Sequence, residues 1–218
     1  MNALTGFKRF RFAVLLGLLA AMGPLTIDMY LPSFPTIAES FDTTASLVQV
    51  SLTACLLGIG MGQLVFGPMS DVYGRKNPLI FSLIGYGIAS AICMFSPTIT
   101  AFIAARFLQG FAASAGIVIS RAIVRDSFSG RALTKFFATL MLINNLAPIL
   151  APIFGGMVLA FTEWKGIFAI LSVVGFLLFI VILVRFEDTL PKESRVPSNF
   201  GNTVKNFKTL LSDRVFMG

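Results

Sequence analysis

Long apolar runs, broken by short clusters of charge and proline, recur along the whole chain. Six of them reach or approach the roughly 20 residues that a helix needs to cross about 30 Å of hydrocarbon. They fall at residues 12–31, 47–69, 78–95, 99–119, 136–161 and 167–184. The pattern predicts an all-α polytopic membrane protein, with a six-helix transmembrane bundle over residues 1–186 and a cytoplasmic linker over 187–218. The connections are short, so successive helices are expected to be antiparallel neighbours. Asn77 is placed to cap the third helix with Pro78 in its first turn, and Pro97 falls in the turn that follows. In the linker, Val204, Phe207, Leu210 and Leu211 recur at helical spacing among Lys205, Lys208 and Arg214, the pattern of an amphipathic helix lying on the membrane face. Val215, Phe216 and Met217 return to apolar character, as the first turn of a seventh span would.

Composition sharpens this picture. Of 218 residues 56% are hydrophobic and 12% charged, and the mean hydropathy is +0.86, values far from those of a soluble domain. A net charge of +7 would suggest nucleic acid if it lay on a soluble face; here the basic residues punctuate apolar runs. Lys8, Arg9 and Arg11, then Arg75 and Lys76, then Arg121, Arg125, Arg131 and Lys135, then Arg185 alternate with connections that carry only Lys165. Such alternation places both termini on the cytoplasmic side of the membrane. The basic start followed by an apolar run also resembles a signal peptide, but the run continues to about Leu31 and further spans follow, which favours an uncleaved first helix.

The absence of histidine, with two cysteines, Cys55 and Cys93, both inside apolar runs, removes the commonest metal ligand and general base. No metal, disulfide framework or cofactor is expected, and a membrane-embedded enzyme lacks its chemistry here.

A charge inside a span costs about 2.5 to 3.5 kcal/mol on insertion scales, so Asp28 and Arg106 need a reason. At about 1.5 Å per residue, Asp28 lies roughly 24 Å from the cytoplasmic start of the first helix and Arg106 roughly 10 Å from the outer start of the fourth. Both depths fall in the outer half of the membrane, where a water-filled cavity would let carboxylate and guanidinium share a site. Asp28 also suits a bland reading, as a marker of the helix end. Gln109 and Gly110 follow Arg106 at i+3 and i+4 and put an amide and a gap beside the charge. Gly58, Gly60 and Gly62, and Gly110, Ala113 and Gly116, permit close helix packing. The fifth span holds Asn144 and Asn145, which suit either a neighbouring helix or a substrate, and then Pro148, Pro152, Gly155 and Gly156, which allow a bend with a helix seated against it.

These residues resemble the major facilitator superfamily, and within it the drug/proton antiporters of the bicyclomycin-resistance type. Gly67, Asp71, Gly74, Arg75 and Lys76 match the signature between the second and third helices, in which Gly74 makes the tight turn, Asp71 serves gating and the two basic residues hold the loop at the lipid phosphates. Val72 departs from a basic residue common there. Arg106, Gln109 and Gly110 look like the helix-four motif tied to proton coupling, and Ala151, Pro152, Gly155 and Gly156 like the helix-five antiporter motif, with Ala147 and Ala151 in place of glycines. The run from Asp28 through Tyr30, Pro32 and Pro35 is similar to the bicyclomycin-type branch.

The resemblance implies the N-terminal six-helix half of a major facilitator fold, a three-plus-three repeat. Asp28 and Arg106 would couple to protons, and Asp28, Tyr30, Gln63, Arg106, Gln109, Asn144 and Asn145 would line the cavity for a small amphipathic, drug-like substrate. The lipid bilayer, protons and a C-terminal half or second copy are the expected partners. The alternative is a truncated, non-transporting fragment, or a half that needs a partner chain.

Overall fold

The computed structural model describes residues 6–195. The amphipathic helix expected around Val204 to Leu211 and the apolar turn at Val215 lie outside them. Among the described residues the secondary structure is helical throughout: α1 (Gly6–Asp28), the short α2 (Phe34–Ser40), α3 (Ala45–Tyr73), α4 (Lys76–Met94), α5 (Ile99–Ser127), α6 (Gly130–Leu159) and α7 (Trp164–Arg185). Six segments are long and apolar enough to cross a membrane; the first joins α1, a 3-10 turn at Leu31–Ser33 and α2 into a span reaching Ser40.

Local sequence explains most helix ends. α1 stops at Asp28, three residues before the expected end, because Pro32 and Pro35 lack an N–H and restrict the residue before them. Each proline instead occupies the first turn of a new short helix, the 3-10 turn and α2. Thr44 caps α3, its hydroxyl accepting from Leu47 N at 3.4 Å, and Thr98 caps α5, accepting from Ala101 N at 3.2 Å. α3 ends on Gly74, whose φ of +87° is a conformation that other residues rarely adopt.

One expected cap is corrected. α4 begins at Lys76, before Asn77, and its N-terminal donor is satisfied from far along the chain: Arg75 N donates to Asp188 Oδ1 at 3.0 Å. α5 runs on past residue 119 because Ser120, Ile123 and Val124 are buried, and α6 starts at Gly130, ahead of its apolar stretch.

The packing does not follow chain order. α3 lies against α5, α1 against α6, α4 against α7, and α5 also touches α1 and α4 along their lengths. Successive helices are therefore close partners for α4 and α5, and only marginal ones for α1 with α3, α3 with α4, or α5 with α6. In lipid no hydrophobic force draws helices together, so close backbone approach at small residues decides who pairs. A side chain at Gly58 would run into the carbonyl of Phe107, and one at Gly110 into the carbonyl of Cys55, so α3 and α5 touch backbone to backbone. Exchanging the first three spans (α1, α3, α4) with the last three (α5, α6, α7) turns the α1–α6 pair into α5–α3 and returns α4–α7 and α1–α5 to themselves. The expected three-plus-three pattern is thus present in the pairing.

Aromatic clusters close both ends. Phe102, Trp164 and Phe168 stack edge to face with centroids 5.4 to 5.9 Å apart, and Tyr30 and Phe41 lean on them. At the other end Phe128 stacks on Phe136 at 4.0 Å, with Phe12 edge-on at 6.1 Å.

Candidate functional site

Arg106 is the largest side chain that the fold encloses completely. α5 carries it into a space walled by the end of α1, α4 and α7. Its Nη1 donates to Gln109 Oε1, one turn along the same helix, and its Nη2 donates to the carbonyl of Thr26 at 3.0 Å. Thr26 stands in the last turn of α1, where carbonyls lack intrahelical partners and carry the negative end of the helix dipole. The guanidinium lies 4.0 Å from the centroid of the Tyr30 ring and 5.6 Å from that of Phe168. Among the described residues no carboxylate pairs with it, and its Nε finds no acceptor.

A buried polar network extends from this charge. Gln109 Nε2 donates to Ser90 Oγ at 2.8 Å, and Ser90 in turn donates to the carbonyl of Tyr86. The Tyr86 and Thr26 hydroxyls are 2.8 Å apart, Thr26 donates to the carbonyl of Met22, and the Tyr30 hydroxyl sits 3.4 Å from Ser51. One charge is therefore shared among α1, α3, α4 and α5. Thr26, Ser51, Tyr86 and Ser90 escaped the sequence analysis because single hydroxyl residues in apolar helices are common and carry no spacing signal.

Asp28 lies two residues beyond the carbonyl that holds Arg106, partly exposed, and the two do not form an ion pair. The expected shared carboxylate–guanidinium site is corrected in this respect: equal depth along two helices does not fix the direction of the side chains. Arg106 points into the bundle, and Tyr30 covers it. Of the other expected cavity residues, Tyr30 and Gln109 are buried in this network, Gln63 is partly exposed on α3, and Asn145 is exposed on α6. Asn144 donates to the carbonyl of Leu140 on its own helix at 3.1 Å.

The turn between α3 and α4 forms a second cluster. Arg75 does not reach toward lipid phosphates, as the resemblance implied; only 5% of it is exposed. Its Nε and Nη2 fork onto Asp126 at 2.7 and 3.3 Å, and its Nη1 meets Asp71 and the Ser70 hydroxyl. Burial opposes the charge of Arg75, and the hydrogen bonds and charges of Asp126 and Asp71 outweigh it, holding its pKa above that of free arginine. Asp188 accepts from Arg75 N and from Arg195, so the segment after α7 is tied to the same turn. Lys76 also turns inward, donating to the carbonyl of Leu183 at the end of α7 at 3.0 Å. Asp126 was missed, although an acid in the last turn of a helix opposes the dipole and so asks for a partner.

On α6 the buried positions are Leu140 and, two turns on, Ala147, Ala151 and Gly155, a narrow stripe whose last three members are one turn apart. Gly155 meets the carbonyl of Met29, so this stripe seats the end of α1. Pro152 is partly exposed, and Gly156 faces open space.

Comparison with known proteins agrees with the six-span helical fold. The Major Facilitator Superfamily pattern matches residues 16–218. An uncharacterized MFS-type transporter, YdgK of Bacillus subtilis (strain 168), is 54% identical over 216 residues, covering 98% of this chain and 54% of its own length. A bicyclomycin resistance protein homolog of Haemophilus influenzae is 36% identical over 209 residues, 96% of this chain and 52% of that protein. The multidrug resistance protein MdtM of Escherichia coli (strain K12) is 30% identical over 197 residues, 88% of this chain and 47% of that protein. The crystal structure of the human organic anion transporter MFSD10 superimposes with a TM-score of 0.71 over 89% of this chain and 52% of that one; at 22% identity this is a likeness of fold. The chain spans about half the length of these relatives. Members of the family are transporters that work without a cofactor and are not enzymes. From the pairing of its six spans to the match along nearly its whole length, this multi-pass membrane chain belongs to the Major Facilitator Superfamily.

Proposed function

We propose that this six-helix unit is the N-terminal half of a proton-coupled efflux transporter for small amphipathic drugs, seated in the bacterial inner membrane with both termini in the cytoplasm. The observation that carries the reading is the desolvated Arg106 charge, held on the Thr26 carbonyl in the last turn of α1, two residues before a partly exposed acid, Asp28. A charge kept wholly inside a helix bundle, at several kcal/mol, points to function rather than stability. Protonation of Asp28 changes the charge at the end of α1, and α1 is the element on which Arg106, Tyr86 and the α6 stripe converge. Proton uptake is thereby linked to the seating of α1 against α5 and α6. The names of the relatives, a bicyclomycin resistance protein homolog and a multidrug resistance protein, support a drug-like substrate.

Transport in this reading requires a second six-helix unit, because alternating access arises when two halves rock around a site between them. Gly60 on α3 and Gly156 on α6 meet nothing within 4 Å, and Asn145 is exposed, features that suit the approach of further helices. Gln63 and Asn145 then border the substrate path, and the Arg75, Asp71 and Asp126 cluster serves as the gating turn.

The test is proton-driven drug efflux from proteoliposomes holding the transporter with both halves. Asp28→Asn is expected to abolish the dependence on the proton gradient, while membrane insertion and thermal stability stay unchanged. Undiminished gradient-driven export in that variant would remove Asp28 from the mechanism.

A further inference from the structure

The exchange of spans that organises the bundle has one exception. It maps the α4–α5 interface onto α7–α1, yet α4 and α5 pack along their lengths while α1 and α7 do not. Between α1 and α7 the fold leaves a groove of about 420 Å³, within the ~300–1,000 Å³ range of small-molecule sites. Val14 and Leu18 of α1 and Leu178 and Val181 of α7 form its walls, and Arg11 and Arg185 stand at its mouth. Arg185 ends α7, and Leu178 lies seven residues, roughly 10 Å, further into the membrane; Leu18 lies at about the same depth below Arg11. The groove therefore starts at headgroup level and opens into hydrocarbon.

We infer that this groove is a binding site for one anionic phospholipid, its phosphate between Arg11 and Arg185 and an acyl chain along Val14, Leu18, Leu178 and Val181. Several features select that occupant. The groove opens sideways into lipid, so the occupant has an apolar tail. Both charged residues at its mouth are arginines, whose planar donors match phosphate oxygens. Among the described residues no carboxylate pairs with Arg185. Basic pockets between helices at this membrane level are the general form of anionic headgroup sites. The lipid fills the place that a helix interface occupies in the other repeat and so braces α1, the helix whose far end carries Asp28.

The test is native mass spectrometry of the full chain released from mixed micelles with phosphatidylglycerol or phosphatidylcholine. The wild type is expected to retain one phosphatidylglycerol in preference to phosphatidylcholine. In Arg11→Gln/Arg185→Gln that preference is expected to fall about tenfold or more, from the loss of two charges near the headgroup. Arg121→Gln/Arg125→Gln, which removes the same charge from α5, is expected to leave it intact. Leu18→Trp, which fills the groove, is expected to lower retention of phosphatidylglycerol even with both arginines present. Equal retention of both lipids by the wild type, an equal fall in the α5 control, or full retention in Leu18→Trp would each overturn the assignment.

Discussion

At Arg106 the fold accepts an expensive residue and surrounds it with weak partners rather than one strong one. An amide oxygen, a helix-terminal carbonyl and two aromatic faces spread the charge, and among the described residues no carboxylate pairs with it. The geometry uses the guanidinium as a fork, with one arm on α5 and the other on α1. Lysine keeps the charge but cannot span both acceptors in this planar way, and alanine leaves both without a donor. Arg106→Lys is therefore expected to lose about 1 to 3 kcal/mol of thermal stability and most transport, and Arg106→Ala to be worse in both. Thermal unfolding in detergent, read beside efflux, checks the order; wild-type behaviour in both variants would make Arg106 a tolerated passenger.

At the scale of the helix, α6 shows how a span can be held by very little. Its buried face is Leu140 followed by the small residues Ala147, Ala151 and Gly155, the last against the carbonyl of Met29, while Gly156 next to it faces open space. A methyl group at position 155 has only backbone to displace, so Gly155→Ala is expected to push α6 off the end of α1 at a cost of about 1 to 3 kcal/mol. Gly156→Ala is expected to be neutral in this six-helix unit, since nothing meets the added carbon. Thermal stability of the two variants side by side is the measurement; equal effects would mean that the α1–α6 seam is not set by Gly155. The α3–α4 turn follows a similar logic in polar form, with Arg75 held by acids from α3 and α5 and its backbone by Asp188 after α7.

For the whole molecule, six spans bring the start of α1 and the end of α7 to the same membrane face, beside the α3–α4 turn that Lys76 ties to Leu183. Arg75, Lys76, Arg121, Arg125, Arg131, Lys135 and Arg185 crowd that face, and Lys165 stands at the other. The charge asymmetry predicts that this crowded face is cytoplasmic. With the buried Cys55 and Cys93 replaced by serine, a membrane-impermeant thiol reagent is expected to label Lys165→Cys in intact cells and Arg131→Cys only after permeabilisation. The reverse pattern would invert the topology.

The number of spans, their approximate limits, the family motifs and the unusual cost of Arg106 and Asp28 were all legible in the sequence, because hydropathy, turn chemistry and intramembrane charge are local properties. Three features were not. The Asn77 cap gave way to Asp188, 113 residues from Arg75 in sequence, and no local pattern reports such a partner. The expected lipid-facing role of Arg75 gave way to Asp126 and Asp71, because a basic residue at the membrane surface goes to whichever anion the fold brings nearest. Asp28 and Arg106 share a depth but not an ion pair, because rise along a helix follows from counting residues whereas the facing of two helices follows from their packing. The sequence alone determined what crosses the membrane and which charges had to be explained; only the tertiary structure decided which of those charges meet, since that depends on small-residue seams pairing α3 with α5, α1 with α6 and α4 with α7 out of chain order.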